Sequence, residues 1–188
     1  GKWSPYSDDS VFQKYYTKFV KALAKDFNDP SKVEFIDGFG LGKWGEYHTM
    51  IYSTGDDTPK KAVFDWVTDI YSQAFDKVPV VINYHRWIGA GKDWVDDEHF
   101  AADSEEMLEE AIKKGYSLRH DAFGMTTYYG SWERRFAKKY RNICPIIMEG
   151  GWIVKSHSYW QDPRGYRKDS HEDVRRGEFD DSLSLIHI

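Results

Sequence analysis

Val78-Pro79-Val80-Val81-Ile82-Asn83-Tyr84-His85 is an apolar run that breaks abruptly into polar and aromatic residues. A strand of that composition is buried on both faces, as in a parallel sheet covered by helices. Helical patterns flank it on both sides. Upstream, Thr58-Pro59 opens a helix, with Thr at the cap and Pro in the first turn, where its missing N–H costs nothing. That helix carries the stripe Ala62, Val63, Trp66, Val67, Ile70 and Phe75. Downstream, Ser104 is placed to cap a helix with Met107, Leu108, Ala111 and Ile112 that stops at Gly115.

The same alternation extends outward. Residues 8–27 predict an amphipathic helix with Phe12, Tyr15, Tyr16, Phe19, Val20, Leu23 and Phe27 at helical spacing. Ser7, Asp8, Asp9 or Ser10 can cap it, and Asn28-Asp29-Pro30 stops it. Residues 33–37 form a short strand that leads into the glycine-rich stretch 38–45. Residues 115–121 form a third strand, 131–140 a helix with Trp132, Phe136 and Tyr140, 144–149 a fourth strand, and 171–179 a further helix. Strict alternation with near-continuous apolar strands predicts an α/β fold with a parallel sheet. The strands start roughly 30 to 45 residues apart, and a (β/α)8 barrel needs eight such units in about 250 residues. The four units here make either an open sheet or about half a barrel.

The polar residues favour the barrel. Each apolar strand ends in a burst of polar and aromatic side chains. These are Asp37 with Lys43 to His48, then Asn83 to Trp87, then Arg119-His120-Asp121, then Glu149 to Trp152. Parallel strands bring their carboxyl ends to one face, where barrels build active sites. An open sheet needs only one loaded switch point.

Composition excludes several classes. The chain of 188 residues is 40% hydrophobic and 30% charged, enough to form a core. Its 26 Lys and Arg against 31 Asp and Glu give a net charge of −5, which disfavours a nucleic-acid partner. No run approaches the roughly 18 apolar residues of a membrane span, so no membrane is expected. The single cysteine, Cys144, lies in an apolar run and reads as a small buried hydrophobe rather than a nucleophile. The 8 Trp, 13 Tyr and 11 Phe are more than a core alone calls for, and suggest stacking surfaces.

Glu46 and Glu149 are the central pair. Each stands beside Gly, Trp or Tyr rather than in a charged run such as Glu105 to Glu110. Two carboxyls at two strand ends suit glycoside hydrolysis, one protonating the leaving oxygen and the other attacking the sugar. The plainer alternative is that each binds an arginine or a backbone amide. Trp44, Trp87, Trp152, Tyr47 and Tyr84 flank these strand ends and can stack on sugar rings, or simply pack under loops. His48, His85 and His120 can orient a carboxylate, bind a sugar hydroxyl or ligate a metal. No H-x-H or H-E-x-x-H spacing is present, so no metal and no other cofactor is expected. If the third strand continues, His120 and Asp121 point to opposite faces. The stretch 37–45 is not a phosphate loop, because Asp37 and Trp44 occupy the places of the first Gly and of Ser/Thr. Its glycines are expected to fold the backbone back tightly, carrying Trp44 and Glu46 over the mouth. The charged cluster Arg164 to Arg176 reads as a solvated loop and helix face.

With its Gly42-Lys43-Trp44-Gly45-Glu46-Tyr47-His48 loop, the chain resembles the retaining glycoside hydrolases of the large (β/α)8-barrel clan. Within that clan it is most similar to a β-galactosidase-like, family 42-like group. In the clan the acid/base glutamate ends strand 4 and the nucleophile ends strand 7. Glu46 and Glu149 lie three units apart, as those strands must. The resemblance implies Glu46 as acid/base, Glu149 as nucleophile, and Trp44, His48, Tyr84, His85, Arg119, His120, Asp121 and Trp152 as substrate-binding. It also implies an oligosaccharide or glycoside substrate and a secreted or periplasmic location. It covers about residues 8–180. Gly45 departs from the Asn that usually precedes the acid/base, so that donor comes from elsewhere, the substrate differs, or the barrel is not a hydrolase.

Residues 183–188, Leu-Ser-Leu-Ile-His-Ile, resemble translated sequencing-adapter read-through that ends many environmental fragments. The expectation is therefore residues 1–182 of a barrel, strands 4–7 and surrounding helices, with a non-native tail and little activity on its own. The rivals are a non-catalytic carbohydrate-binding barrel, a metal-dependent hydrolase using His48, His85, His120 and Asp121, and a structural domain of another role in which neither Glu46 nor Glu149 is catalytic.

Overall fold

The structure is a computed structural model that describes residues 4–47, 49–89, 98–124, 129–150, 161 and 164–186. Helices and strands alternate as α1 (Ser10–Phe27), β1 (Ile36–Asp37), α2 (Lys60–Ala74), β2 (Val80–Asn83), α3 (Glu98–Lys113), β3 (Ser117–Phe123), α4 (Ser131–Tyr140), β4 (Ile146–Gly150) and α5 (His171–Ile186). The strands follow one another in the sheet in sequence order, and the β1–β2 and β3–β4 pairs are parallel. The predicted α/β class is therefore correct. The chain divides into two compact units: Gly1–Ile82 with Arg86–Ser117, and Asn83–His85 with Leu118–Ile188.

In the first unit Asp9 supplies the cap of α1, its carboxylate accepting from Phe12 N at 2.8 Å. Asn28 ends the helix, and its Oδ1 also accepts from Lys77 N and Val78 N, so the residue that stops α1 holds the entry to β2. Phe12 and Tyr16 of α1 meet Trp66 of α2 at ring distances of 6.4 and 5.8 Å. All four residues of β2 are buried, as their composition requires. Ile36 N donates to Pro79 O and Gly38 N to Val81 O, fixing β1 on β2.

Two helix starts differ from expectation. α2 begins at Lys60, with Pro59 in the cap position and its carbonyl accepting from Val63 N at 2.9 Å. Asp56 closes a turn on Thr58 N at 3.0 Å, which shifts the start past Thr58. α3 begins at Glu98, so Ser104 lies inside the helix instead of capping it. There its fully buried hydroxyl donates to Arg86 O and accepts from Gly89 N, both at 2.7 Å. The hydroxyl ties the turn after β2 to the helix.

In the second unit α4 lays Trp132, Phe136 and Tyr140 on the core, as the spacing predicted. α5 runs through Ile186, beyond the expected end at residue 179. The buried Asp181 anchors it, accepting from Arg134 Nε at 2.7 Å and Arg164 Nη1 at 3.1 Å. The cluster Arg164 to Arg176 is therefore not wholly solvated. Lys168 is buried as well, and loss of hydration pushes its ammonium down to about 7. Gly124, at φ +79°, ends β3 directly against α5, where a Cβ would stand 2.7 Å from Glu178 N. Cys144 is half-buried, and burial pushes its thiol up, away from nucleophile chemistry.

Candidate functional site

The second unit carries a polar network at the carboxyl ends of its strands. Exposure alternates along β3, with Leu118, His120 and Ala122 buried and Arg119 and Asp121 half-buried. Arg119 Nη2 donates to Glu149 Oε2 at 2.8 Å, and its Nη1 lies 3.5 Å from Asp121 Oδ2. Asn83 Nδ2 donates to the same Asp121 oxygen at 3.2 Å. The result is a line of contacts, Asn83–Asp121–Arg119–Glu149, running from a residue 3% exposed to a side chain 63% exposed. Arg119 thus orients the carboxylate at the open end.

A register break shapes this line. His120 pairs with Met148 and Phe123 with Gly150, so Asp121 and Ala122 together oppose Glu149 alone. Such a bulge interrupts the ladder and re-aims side chains. It also leaves the Ala122 N–H in need of an acceptor, and His120 Nδ1 takes it at 3.0 Å. Nδ1 is thereby an acceptor, and the neutral ring carries its proton on Nε2. Asp121 Oδ1 stands 3.9 Å from Nδ1, beyond hydrogen-bond distance.

The opposite face of these strands is core. The His120 ring meets Tyr84 edge-on at 5.0 Å and Tyr129 at 4.8 Å. Tyr84 stacks on Phe136 of α4 at 5.7 Å, and its hydroxyl lies 2.9 Å from that of Tyr129. Tyr84 and His120 therefore belong to the layer under α4 and not to the polar face. Burial holds the Tyr84 phenol well above its ordinary value, so it stays neutral. His85 is also buried.

In the first unit the glycine-rich loop folds back on itself as the sequence predicted. Tyr47 N donates to Leu41 O at 2.8 Å, and a Cβ on Gly45 would stand 3.3 Å from Gly40 Cα. Four non-glycine residues also adopt positive φ: Phe39, Trp44, Tyr47 and Thr49. This backbone is strained and needs outside support. The support comes from Tyr47, whose buried hydroxyl donates to Lys60 O at 2.7 Å and whose ring packs on Phe39 and Phe64. Trp44, by contrast, is 71% exposed, with the Lys43 ammonium 4.1 Å from its ring centre. Glu46 is half-buried, and its amide donates to Lys43 O at 3.1 Å.

Of the aromatics predicted for stacking, Trp44 is presented to solvent, whereas Tyr47, Tyr84 and Trp87 are core. His48 and Trp152 lie outside the described residues. Arg119, Asp121 and Glu149 come together in the second unit, and Trp44 and Glu46 sit in the loop of the first. Sequence reasoning gave Asn83 no role. Its place two residues before His85 on a buried strand was the available signal. Among the described residues no group of three or more His, Cys, Asp and Glu is arranged to hold a metal ion. No described helix is long and apolar enough to cross a membrane. Comparison with protein-family models, curated proteins and solved structures finds no match.

Proposed function

We propose that the chain is part of a retaining glycoside hydrolase built on a (β/α)8 barrel and acting on an oligosaccharide or glycoside. In this reading Glu149 is the nucleophile and Glu46 the acid/base. The Glu149 carboxylate attacks the anomeric carbon while Glu46 protonates the departing oxygen. A water, deprotonated by Glu46, then releases the sugar from Glu149. The observation that supports the reading is the Arg119–Glu149 pair, in which Arg119 of β3 reaches the carboxylate near the end of the adjacent parallel strand β4. The guanidinium aims a carboxylate that is otherwise open to a ligand, and the strand ends are where barrels place their chemistry. The exposed Trp44 ring, next but one to Glu46, offers a flat face to a sugar.

The test is release of 4-nitrophenol from a panel of 4-nitrophenyl glycosides by the protein expressed with its natural flanking sequence. Glu46→Gln is expected to lower turnover about 10²–10⁴-fold, and Glu149→Gln at least as much. Turnover unchanged in both variants would refute the assignment. Trp44 alone also suits a carbohydrate-binding barrel without catalysis. Sugar-dependent fluorescence quenching with no turnover by the parent would favour that second reading.

A further inference from the structure

We propose that His120 is a pH-sensitive latch: on taking a proton at Nδ1 it lets go of the Ala122 amide in the β3 bulge and pairs with Asp121 instead. The latch acts on the polar face whatever ligand that face takes, so it goes beyond the glycoside reading. It follows from one nitrogen with two partners in reach. Ala122 N donates to Nδ1 at 3.0 Å, and Asp121 Oδ1 stands 3.9 Å from the same nitrogen. The neutral ring offers a lone pair at Nδ1 and serves the amide. A proton there turns the nitrogen into a donor. It then meets the Ala122 N–H as donor against donor, while the carboxylate becomes the matching acceptor. Both changes favour the same move, which closes the gap to Oδ1 to ~2.8 Å. The ring is 2% exposed, so bulk water is a poor substitute for either partner.

The groups around the ring leave this exchange to Asp121. Tyr84 of β2 and Tyr129 before α4 face the ring, and burial holds both phenols above their ordinary value, hence neutral. From α4, Arg134 lies 5.7 Å from the Tyr129 ring centre and pairs with Asp181 of α5, and Glu133 accepts from Gly130 N. From β4, Met148 stands opposite His120 in register, and Glu149 pairs with Arg119. Asp121 Oδ2 accepts from Asn83 and lies 3.5 Å from Arg119 Nη1. An imidazolium on the other oxygen offsets the carboxylate charge and weakens that second contact. In acid, Arg119 therefore keeps Glu149 and loosens from Asp121, while the bulge loses the acceptor of its unpaired amide.

The test is NMR on the isotopically labelled protein with its natural flanking sequence, from about pH 8 to about pH 4.5, a span around the ordinary histidine value. The ring nitrogens of His120 report protonation. Hydrogen exchange of the Ala122 amide, corrected for the pH dependence of exchange itself, reports the latch. Exchange at Ala122 should speed about 3- to 10-fold as the ring titrates, the worth of one neutral hydrogen bond. Leu118, whose amide donates to Pro145 O on β4's side, should show no such step. His120→Asn keeps an acceptor for the amide two residues on and has no proton to take up, so its step should vanish. Asp121→Asn lies outside the core and keeps the ring, and it should move the ring's midpoint to lower pH; it decides the matter if His120→Asn fails to fold. Four results would each overturn the proposal: Ala122 protection unchanged while the ring titrates, a ring that takes no proton in this span, an equal step in His120→Asn, or an equal midpoint in Asp121→Asn. No ligand enters the measurement, so its outcome is separate from that of the glycoside assay.

Discussion

Gly124→Ala should destabilise the second unit far more than its backbone angle alone demands. At φ +79° any residue with a side chain costs about 1–2 kcal/mol. A smaller loss of chain entropy for alanine offsets about 0.4–1 kcal/mol of this. The remainder comes from packing. A Cβ here would stand 2.5 Å from Glu178 Cγ, 2.7 Å from Glu178 N and 3.0 Å from Glu178 Cα. Two of those atoms are backbone of α5 and cannot rotate aside, so overpacking adds about 1–3 kcal/mol. The net expectation is about 2–4 kcal/mol, or roughly 1–2 M in the urea midpoint. Gly165→Ala in the same unit is the control. Its φ is +88°, but its nearest neighbour is the end of the Gln161 side chain at 3.3 Å. It should cost about 1 kcal/mol or less. Urea titrations followed by circular dichroism, with hydrogen exchange at β3 and β4, measure both. Equal midpoint shifts for the two variants would show that α5 does not press on the end of β3.

Lys168 predicts a pH dependence. Its folded-state value is about 7 against an ordinary 10.5, so between those limits the unfolded chain holds a proton that the folded chain has lost. Stability should therefore rise as pH climbs from about 7 to 10.5. Lys168→Met should flatten that rise and add on the order of 1–3 kcal/mol near pH 7; a rise of equal slope in the variant would contradict the burial argument. Trp44 should separate binding from folding. Its ring is exposed and its φ is +56°, so Trp44→Gly should leave stability within about 1 kcal/mol of the parent or above it. The same variant should lose sugar-induced fluorescence quenching, and quenching that persists would remove Trp44 from the site.

The order of elements was legible because it depends on local signals. Apolar runs, proline, glycine and helical stripes mark helices and strands without reference to the rest of the chain. The errors fall where a polar side chain had two uses. Ser104 has a cap residue's chemistry, but its hydroxyl is committed to the turn at Arg86 and Gly89, and the helix starts earlier. Arg164 sits in a charged run, yet it finds the buried Asp181 on α5, a partner 17 positions away. Neither partner can be inferred from spacing along one element.

The polar network of the second unit was legible as a location and less so as a set of contacts. Carboxyl ends of parallel strands drew attention to the segments that carry it, but which side chain faces which layer depends on a period of two. His120 and Asp121 were correctly expected to diverge, and the choice between them turns on the bulge. An extra residue opposite Glu149 frees the Ala122 amide, and that amide needs a nearby acceptor. His120 supplies it from the buried side, where Tyr84 and Tyr129 enclose its ring. A histidine at a strand end, the residue most readily taken for chemistry, thus completes the backbone. The bulge it stabilises keeps Asp121 beside Arg119 and Asn83. His120 is thereby committed to the core side, and the polar face of the described residues is carried by Asn83, Arg119, Asp121 and Glu149.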